Sequence, residues 1–499
     1  MRCDNLKNDC FRPASRGRNC SFVGRPSCRN RKAPFSIPTL CMHSAVRIIT
    51  LATVLTFCDC IVAQDVAASE SLTKLKSRNP QDIASAISSL PDGSLHSPEV
   101  ARQLTLLLND ERAVVEHIML RETVGERAWF KLLELPSTLT EAILETVPSL
   151  KSYARGQAFE IVSQIGKPNP HAYDMILPYC DDYLDVYVRS RAISALSAVA
   201  DDSDDSIKQF GNLLLDSDPL VKWTVLDALD KRHQRIAVVL PEVIKLLDDD
   251  SDVHVAISRD ASRPEKLRGR VARLLAKIGP KASDAIPKLK KLTGREYDEK
   301  VRIWSAAAVC CITGTPVPES LDLLERLMLA DMESNWVQND APEAIAQLGS
   351  LARPLLDSLE RAKKHKSALI RLGLVDAFFA IDPESAVTRC FPLIDDENEL
   401  VVSSVIDAFS GRGISEPRVI AAYIRLLESH DGSFYHPAAY AVDALGKLGP
   451  AAREAVPALN ELAKAPNISD HLKKSIADAL ICVVFPFESP RSFSPQRQP

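Results

Sequence analysis

The side chains that could do chemistry are few, and the most regular of them are basic. Val188-Arg189, Val221-Lys222, Leu267-Arg268 and Val301-Arg302 each set a cation near the start of an amphipathic run, close to an acidic turn. Two arrangements suit that pattern. The cations could line one face as a stripe that grips an acidic partner, or each could neutralise a turn carboxylate in a structural ladder. Charge reversal at Arg189 and Arg302 separates the two, because a stripe would lose its partner and keep its fold. Two further candidates for partner contact are His254 and Trp336. They sit in DDDSDVHVAISRDASRP and DMESNWVQNDAP, stretches that interrupt the local pattern and read as solvated loops.

Catalytic and metal-binding motifs do not appear in the sequence. It contains no GxSxG, no Walker loop and no GxGxxG, and Gly411-Arg412-Gly413 reads as a turn. None of the ten histidines is followed by glutamate, and no HExxH occurs. Seven of the twelve cysteines fall at or before Cys60; Cys180, Cys310, Cys311, Cys390 and Cys482 remain, with no zinc-like spacing. The acidic runs at Asp201–Asp205 and Asp248–Asp252 lack the glycine and terminal glutamate of an EF-hand loop, so they read as turns whose aspartates cap the next helix. These features predict a protein with no catalytic residues, no cofactor and no metal.

The elements that position the cations belong to a tandem array. IGPKASDAIPKLKKL (278–292) recurs as LGPAAREAVPALNEL (448–462), matching at Gly, Pro, Ala, Ala, Pro, Leu and Leu. Gly279 and Gly449 follow an apolar helical run, where a residue with positive φ ends a helix. Pro287 and Pro457 then suit the first turn of a new helix, where a missing N–H costs nothing. The hydrophobic-Pro signal returns at Leu177-Pro178, Leu240-Pro241, Val317-Pro318 and Phe391-Pro392, and more loosely at Arg353-Pro354 and Glu416-Pro417; a unit near Phe210 lacks the proline. From Pro178 to Pro457 are 279 residues in eight steps, about 35 each, the period of stacked helix pairs. Only 18 glycines and 6% aromatics also favour helix over sheet. The predicted fold is all-α, an α-solenoid of stacked antiparallel helix pairs.

The chain divides further. Residues 42–63 read as a signal peptide: Arg47, then an apolar run from Ile48 to Cys58 that is too short to span a bilayer. Residues 1–41, rich in Arg, Cys and Pro, read as a disordered leader and possible mis-assigned start. Residues 64–78 read as a flexible lead-in, 79–170 as a helical region packed on the array, and 171–484 as the array. The Pro/Ser-rich stretch 485–499 reads as a disordered tail. The first region breaks at Gly125, Pro136 and Pro148, with Trp129 and Phe130 as packing residues. The first 63 residues hold ten Lys/Arg and three Asp; removing them from totals of 61 and 66 leaves 51 basic and 63 acidic residues. An acidic body of this kind disfavours nucleic acid.

With Gly279-Pro280 and Pro287, and again Gly449-Pro450 and Pro457, the array resembles the HEAT repeat family, especially the HEAT-like units of phycobilisome lyases. The resemblance covers His171 to Val484, about nine helix pairs. It implies a superhelix whose inner face, built from second helices, docks another macromolecule, and cations that pair with the turn Asp of an adjacent repeat. The di-iron hydroxylases of that family use His-Glu pairs, which this sequence lacks. The resulting expectation is an exported scaffold, periplasmic or extracellular. It would act as a monomer that binds an unidentified protein or peptide, without nucleic acid and without stable membrane insertion once its signal is cleaved. A lyase- or chaperone-like modifying enzyme and a cytosolic adaptor are the alternatives.

Overall fold

The computed structural model describes residues 69, 72–117, 120–181, 184–258, 261–330, 340–428, 437–465 and 468–485. Contacts divide the chain between Asp65 and Val66, and all of these residues belong to the second unit. The readings made for 1–41, 42–63 and 486–499, and the candidate Trp336, lie outside the described residues. The described chain is an α-solenoid, helical almost throughout, as its composition and period predict.

It opens with α1 (Pro80–Ser88) and α2 (Pro98–Leu107), each capped as the sequence suggests. The Asn79 side chain accepts from Gln81 N–H at 3.1 Å, and Ser97 Oγ accepts from Val100 N–H at 3.4 Å. A departure follows. The Glu116–Thr123 stretch, expected to be helical, contributes to an antiparallel hairpin of β1 (Ala113–His117) and β2 (Leu120–Thr123). Thr123 then opens α3 (Val124–Leu132) through a reciprocal cap with Glu126. Gly125 therefore lies inside a helix and does not break one. A Cβ there would stand in tight contact with the Leu108 carbonyl oxygen, at 3.0 Å, which glycine avoids. Trp129 packs against the core, but Phe130 meets it edge to face at 5.0 Å and is 62% exposed, so only one of this pair is a packing residue. The short α4 (Thr140–Leu144) leads to α5 (Ser152–Ile165).

Nine helix pairs follow among the described residues. They are α6 (Pro170–Ile176) with α7 (Val186–Val199), α8 (Asp204–Leu213) with α9 (Pro219–Asp230), and α10 (Leu240–Lys245) with α11 (Leu267–Ile278). Next come α12 (Ile286–Leu292) with α13 (Glu299–Thr313), α14 (Pro318–Leu329) with α15 (Asp340–Leu348), and α16 (Leu356–Ala362) with α17 (Ala368–Ile381). The last three are α18 (Pro383–Cys390) with α19 (Glu399–Gly411), α20 (Pro417–Glu428) with α21 (Pro437–Leu448), and α22 (Val456–Ala463) with α23 (Asp470–Val484). Second helices pack on one another in order, and α5 packs along α7, so the stack begins before the array does. Each pair buries its apolar stripe against its neighbours in one continuous core.

The twin stretches share their backbone conformation. Gly279 has φ 68° and Gly449 φ 58°. Each opens a 3-10 segment, Gly279–Ala285 and Gly449–Ala455, with the same kink at a buried alanine: Ala282 at φ −92°, ψ 24° and Ala452 at φ −95°, ψ 20°. Gly349, at φ 55°, starts a third copy, Gly349–Leu355, whose sequence is less similar. The hydrophobic-Pro signal opens an α-helix, as expected, at Leu240-Pro241, Ile286-Pro287, Val317-Pro318, Glu416-Pro417 and Val456-Pro457, and falls in a 3-10 segment at Leu177-Pro178, Arg353-Pro354 and Phe391-Pro392. At Leu177-Pro178 and Phe391-Pro392 the 3-10 piece follows the α-helix, and at Leu240-Pro241 and Ile286-Pro287 it precedes it. Proline lacks the N–H that would continue an α-helical ladder, so it falls in the first turn of whichever helical piece follows.

The insertion in the third pair contributes two strands. β3 (Asp252–Ser258) and β4 (Ala261–Lys266) form an antiparallel hairpin, with Val253 opposite Glu265 and His254 opposite Pro264. The alternation of Val253, Val255 and Ile257 with polar or small residues favours a strand, and this corrects the expected loop. No described helix is long and apolar enough to cross a membrane.

Candidate functional site

The cations that opened the sequence reading are tied into the fold. Arg189, Lys222, Arg302 and also Arg371 each lie four residues after the N-cap of a second helix: Asp185, Asp218, Asp298 and Ser367. Arg189 Nη2 lies 3.0 Å from Asp216 and Lys222 Nζ 2.8 Å from Asp249, each in the turn of the next pair. Arg371 is gripped by Asp396 through Nε and Nη2, both at 2.8 Å, and donates to the His365 carbonyl at 2.6 Å. Arg268 stands only two residues after its N-cap, Lys266, because the hairpin replaces the usual turn. It reaches back to Asp250 of its own pair at 2.6 Å and stacks on Tyr297 at 5.5 Å. Arg189 and Arg268 are buried and Lys222 is largely covered, and each is paired with a turn carboxylate of the fold. Arg302 occupies a ladder position, yet its Nε is buried without a hydrogen-bond partner. His254 is exposed on the hairpin, apart from the other candidates.

The residues that do converge are ones the sequence reading passed over. Trp223, Asp227 and Asp230 share a face of α9; Arg270, Arg273 and Lys277 share a face of α11. Lys300 and Trp304 lie on α13, and Asp340 and Glu343 on α15. Every spacing within a helix is three or four residues, so each set projects on one side. α11 also touches α15, its next-but-one second helix, and the Arg273–Glu343 ion pair joins them across α13. Alternate members of a layer can meet only where it curls inward, so the second-helix layer is concave here. The hollow is a cleft of about 380 Å³ lined by Trp223, Asp227, Asp230, Glu265, Gly269, Arg270, Arg273, Lys300 and Trp304.

Its walls are an ion-pair mesh laid on two indoles. Arg270 Nη2 lies 2.6 Å from Asp227 and 3.0 Å from Asp230, and Lys277 donates to both Asp230 oxygens at 2.8 and 2.9 Å. Lys300 bridges Glu265, at the root of β4, at 3.0 Å and Asp340 at 3.4 Å. Trp304 Nε1–H donates to Asp340 Oδ1 at 2.9 Å. The Arg273 guanidinium lies over the Trp304 ring at 4.7 Å, and that of Arg270 over Trp223 at 5.9 Å. Burial pushes the Asp227, Asp340 and Glu343 carboxyls up, against the pull of Arg270, Lys300 and Arg273 respectively. Burial also works to raise Asp230, but Lys277 and Arg270 together hold it below its ordinary value. Asp227 remains 48% exposed at its side chain. It is an acid reachable from the cleft and paired with Arg270. No group of three or more His, Cys, Asp or Glu side chains among the described residues is placed to hold a metal ion.

No family model matches the chain. No curated protein matches it in sequence. Among solved structures it is similar to a Kap121p mutant, at 12% identity and a TM-score of 0.35, covering 83% of this chain and 48% of that one. It is also similar to the Kap95:Nup1 complex, at 13% identity and a TM-score of 0.48, covering 82% and 62%. A third similar structure is the CpcE–CpcF complex of phycocyanin lyase from Nostoc, at 18% identity and a TM-score of 0.36, covering 54% and 94%. The chain spans about half the length of Kap121p. At such identities and scores the likeness concerns helical architecture, and nothing about activity follows from it.

Proposed function

We propose that this protein is an interaction scaffold that captures a protein or peptide on its second-helix face, with the cleft between Trp223 and Trp304 as the contact centre and no catalysis of its own. One observation carries the reading: the layer curls at α11–α15 so that charges from α9, β4, α11 and α13 line one cleft beside the Trp223 and Trp304 indoles. Aromatic and arginine side chains in a desolvated hollow are the usual anchors of protein recognition. A peptide-display selection on the full chain, counter-screened with Asp227→Arg, tests this. Recovered peptides should bind the parent and not the variant, while both keep the same helical circular dichroism. Equal binding to both would move the contact elsewhere. We further propose that the chain is exported, on the strength of the signal-like pattern at 42–63. N-terminal sequencing of mature protein should then begin near Gln64, and an intact Ile48–Cys58 run would refute export.

A further inference from the structure

We infer that a groove between the first helices α20 and α22 docks a partner segment in which arginine or lysine flanks an apolar side chain. This surface belongs to the other helix layer from the Trp223–Trp304 cleft, and it stands or falls independently of that cleft.

The groove encloses about 520 Å³, a volume within the range of ligand sites. Its floor is apolar. Leu427 and Leu462 are buried there, and Ile424, Ala458 and Ala465 are half-buried beside them. The charged side chains that line it are all acidic: Glu428, Glu454 and Glu461, each exposed.

An earlier pair of first helices shows how the array fills the same space. Counted from the prolines that open α14 and α20, Glu325 matches Ile424 and Leu329 matches Glu428. Counted from Gly349 and Gly449, Pro354 matches Glu454, Ser358 matches Ala458 and Arg361 matches Glu461. Between α14 and α16 a bridge spans the gap: Ser358 Oγ donates to Glu325 Oε1, and Arg361 Nη2 donates to the same oxygen at 2.6 Å. Arg389 on α18 likewise reaches Glu360 on α16 at 2.8 Å, and Arg425 on α20 reaches Asp395, just beyond α18, at 2.9 Å. Between α20 and α22 every member of the first bridge has changed. The acceptor is replaced by Ile424, the hydroxyl is lost at Ala458, and a carboxylate, Glu461, stands where the arginine stood. None of the three groove acids has an acidic counterpart in the bridged pair.

The cations nearby serve other partners or lie outside the groove. Arg425, three residues before Glu428, is turned to Asp395, and Arg418 pairs with Glu416 at 2.8 Å. Arg453 is exposed next to Glu454 and does not line the groove. Lys464 pairs with Glu461 at 2.8 Å, but the two are 70% and 75% exposed, so the contact is weak and readily exchanged. A guest that brings a guanidinium or ammonium to the acidic rim and an apolar side chain to the floor supplies, from another chain, the bridge missing here. A purely apolar guest would desolvate the glutamates without pairing them, and an acidic one would be repelled.

Peptide-display selection on the full chain, counter-selected with the triple variant Ile424→Glu, Ala458→Ser and Glu461→Arg, tests this. The triple variant rebuilds the α14–α16 bridge across the groove, so its circular dichroism should match the parent's and its urea midpoint should hold or rise. The inference predicts peptides, depleted by the rebuilt variant, in which arginine or lysine flanks an apolar residue. By fluorescence anisotropy their affinity should fall about tenfold or more on rebuilding, and as much when their basic residues become glutamine. A double variant, Glu428→Gln with Glu454→Gln, keeps the apolar floor and should weaken the same peptides severalfold, which decides the matter if the rebuilt chain does not fold. Recovered peptides without basic residues, or equal binding to the parent and both variants, would overturn the inference. So would a selection that yields only peptides lost on Asp227→Arg and retained on rebuilding, which would leave the cleft reading standing.

Discussion

Arg371 offers the sharpest test of how the array is joined. Its guanidinium and the Asp396 carboxylate are about 6% and 7% exposed, form two parallel bonds of 2.8 Å, and link α17 to the turn before α19. Asp396 also raises the Arg371 pKa through those bonds. Arg371→Ala would leave that carboxylate buried with only the Asn398 N–H, at 2.9 Å, and would strip a donor from the His365 carbonyl. Removing one partner of a buried pair costs about 3–5 kcal/mol. Arg302 stands at the same register with its Nε unbonded, so Arg302→Ala should cost no more than about 1 kcal/mol. Replacing both partners, Arg371→Met with Asp396→Leu, should recover most of the loss, since the expense lies in the stranded charge. Urea unfolding followed by circular dichroism measures the three variants. Amide exchange should show the loss of protection concentrated in α17 and α19, because neighbours in a solenoid are coupled most strongly. Equal costs for Arg371→Ala and Arg302→Ala would refute the ladder.

Leu289 and Leu459 are equivalent in the twin stretches and fully buried, so Leu→Ala at either should cost about 2–5 kcal/mol in a denaturant titration; an unchanged midpoint would remove them from the core. Gly156 lies under the Tyr187 ring, where a Cβ would fall 2.1 Å from Cε1, so Gly156→Ala should cost about 1–3 kcal/mol and disturb the Tyr153–Tyr187 stack, read in the near-ultraviolet dichroism. Asp340 tests the cleft's electrostatics. Burial raises its pKa above the ordinary 3.8, so between that value and the raised one the folded state binds more protons than the unfolded state. Stability carried by this group therefore falls as pH climbs through that window, and Asp340→Asn should remove that part of the slope; parallel pH–stability curves for parent and variant would contradict the assignment.

The joints between helix pairs were legible in sequence because they depend on local backbone chemistry. Gly279 and Gly449 need positive φ, and proline suits the first turn of a helix, where its missing N–H costs nothing. The ladder was half legible. A cation four residues after a capping residue could be seen at Arg189, Lys222 and Arg302, but its destination could not, and Arg371 was missed because Ser367 makes a less conspicuous cap. The hairpin at 252–266 carried a signal in Val253, Val255 and Ile257 that a helical frame obscured. The cleft was the least legible part. Arg273 and Glu343 are 70 residues apart, two repeat periods, and only the inward curl of the layer brings them together. Charges at three- and four-residue spacing on α9, α11 and α15 were visible, but without that curl they read as solvated faces.

The claim that partners dock on the second-helix cleft is tested most directly by site-directed photo-crosslinking with the display-selected peptides. A photoreactive side chain placed at Arg273, which lines the cleft and is 30% exposed, is compared with one at Lys208, exposed on first helix α8. The account predicts crosslinks from 273 and none from 208. Crosslinks from 208, with 273 silent, would contradict it.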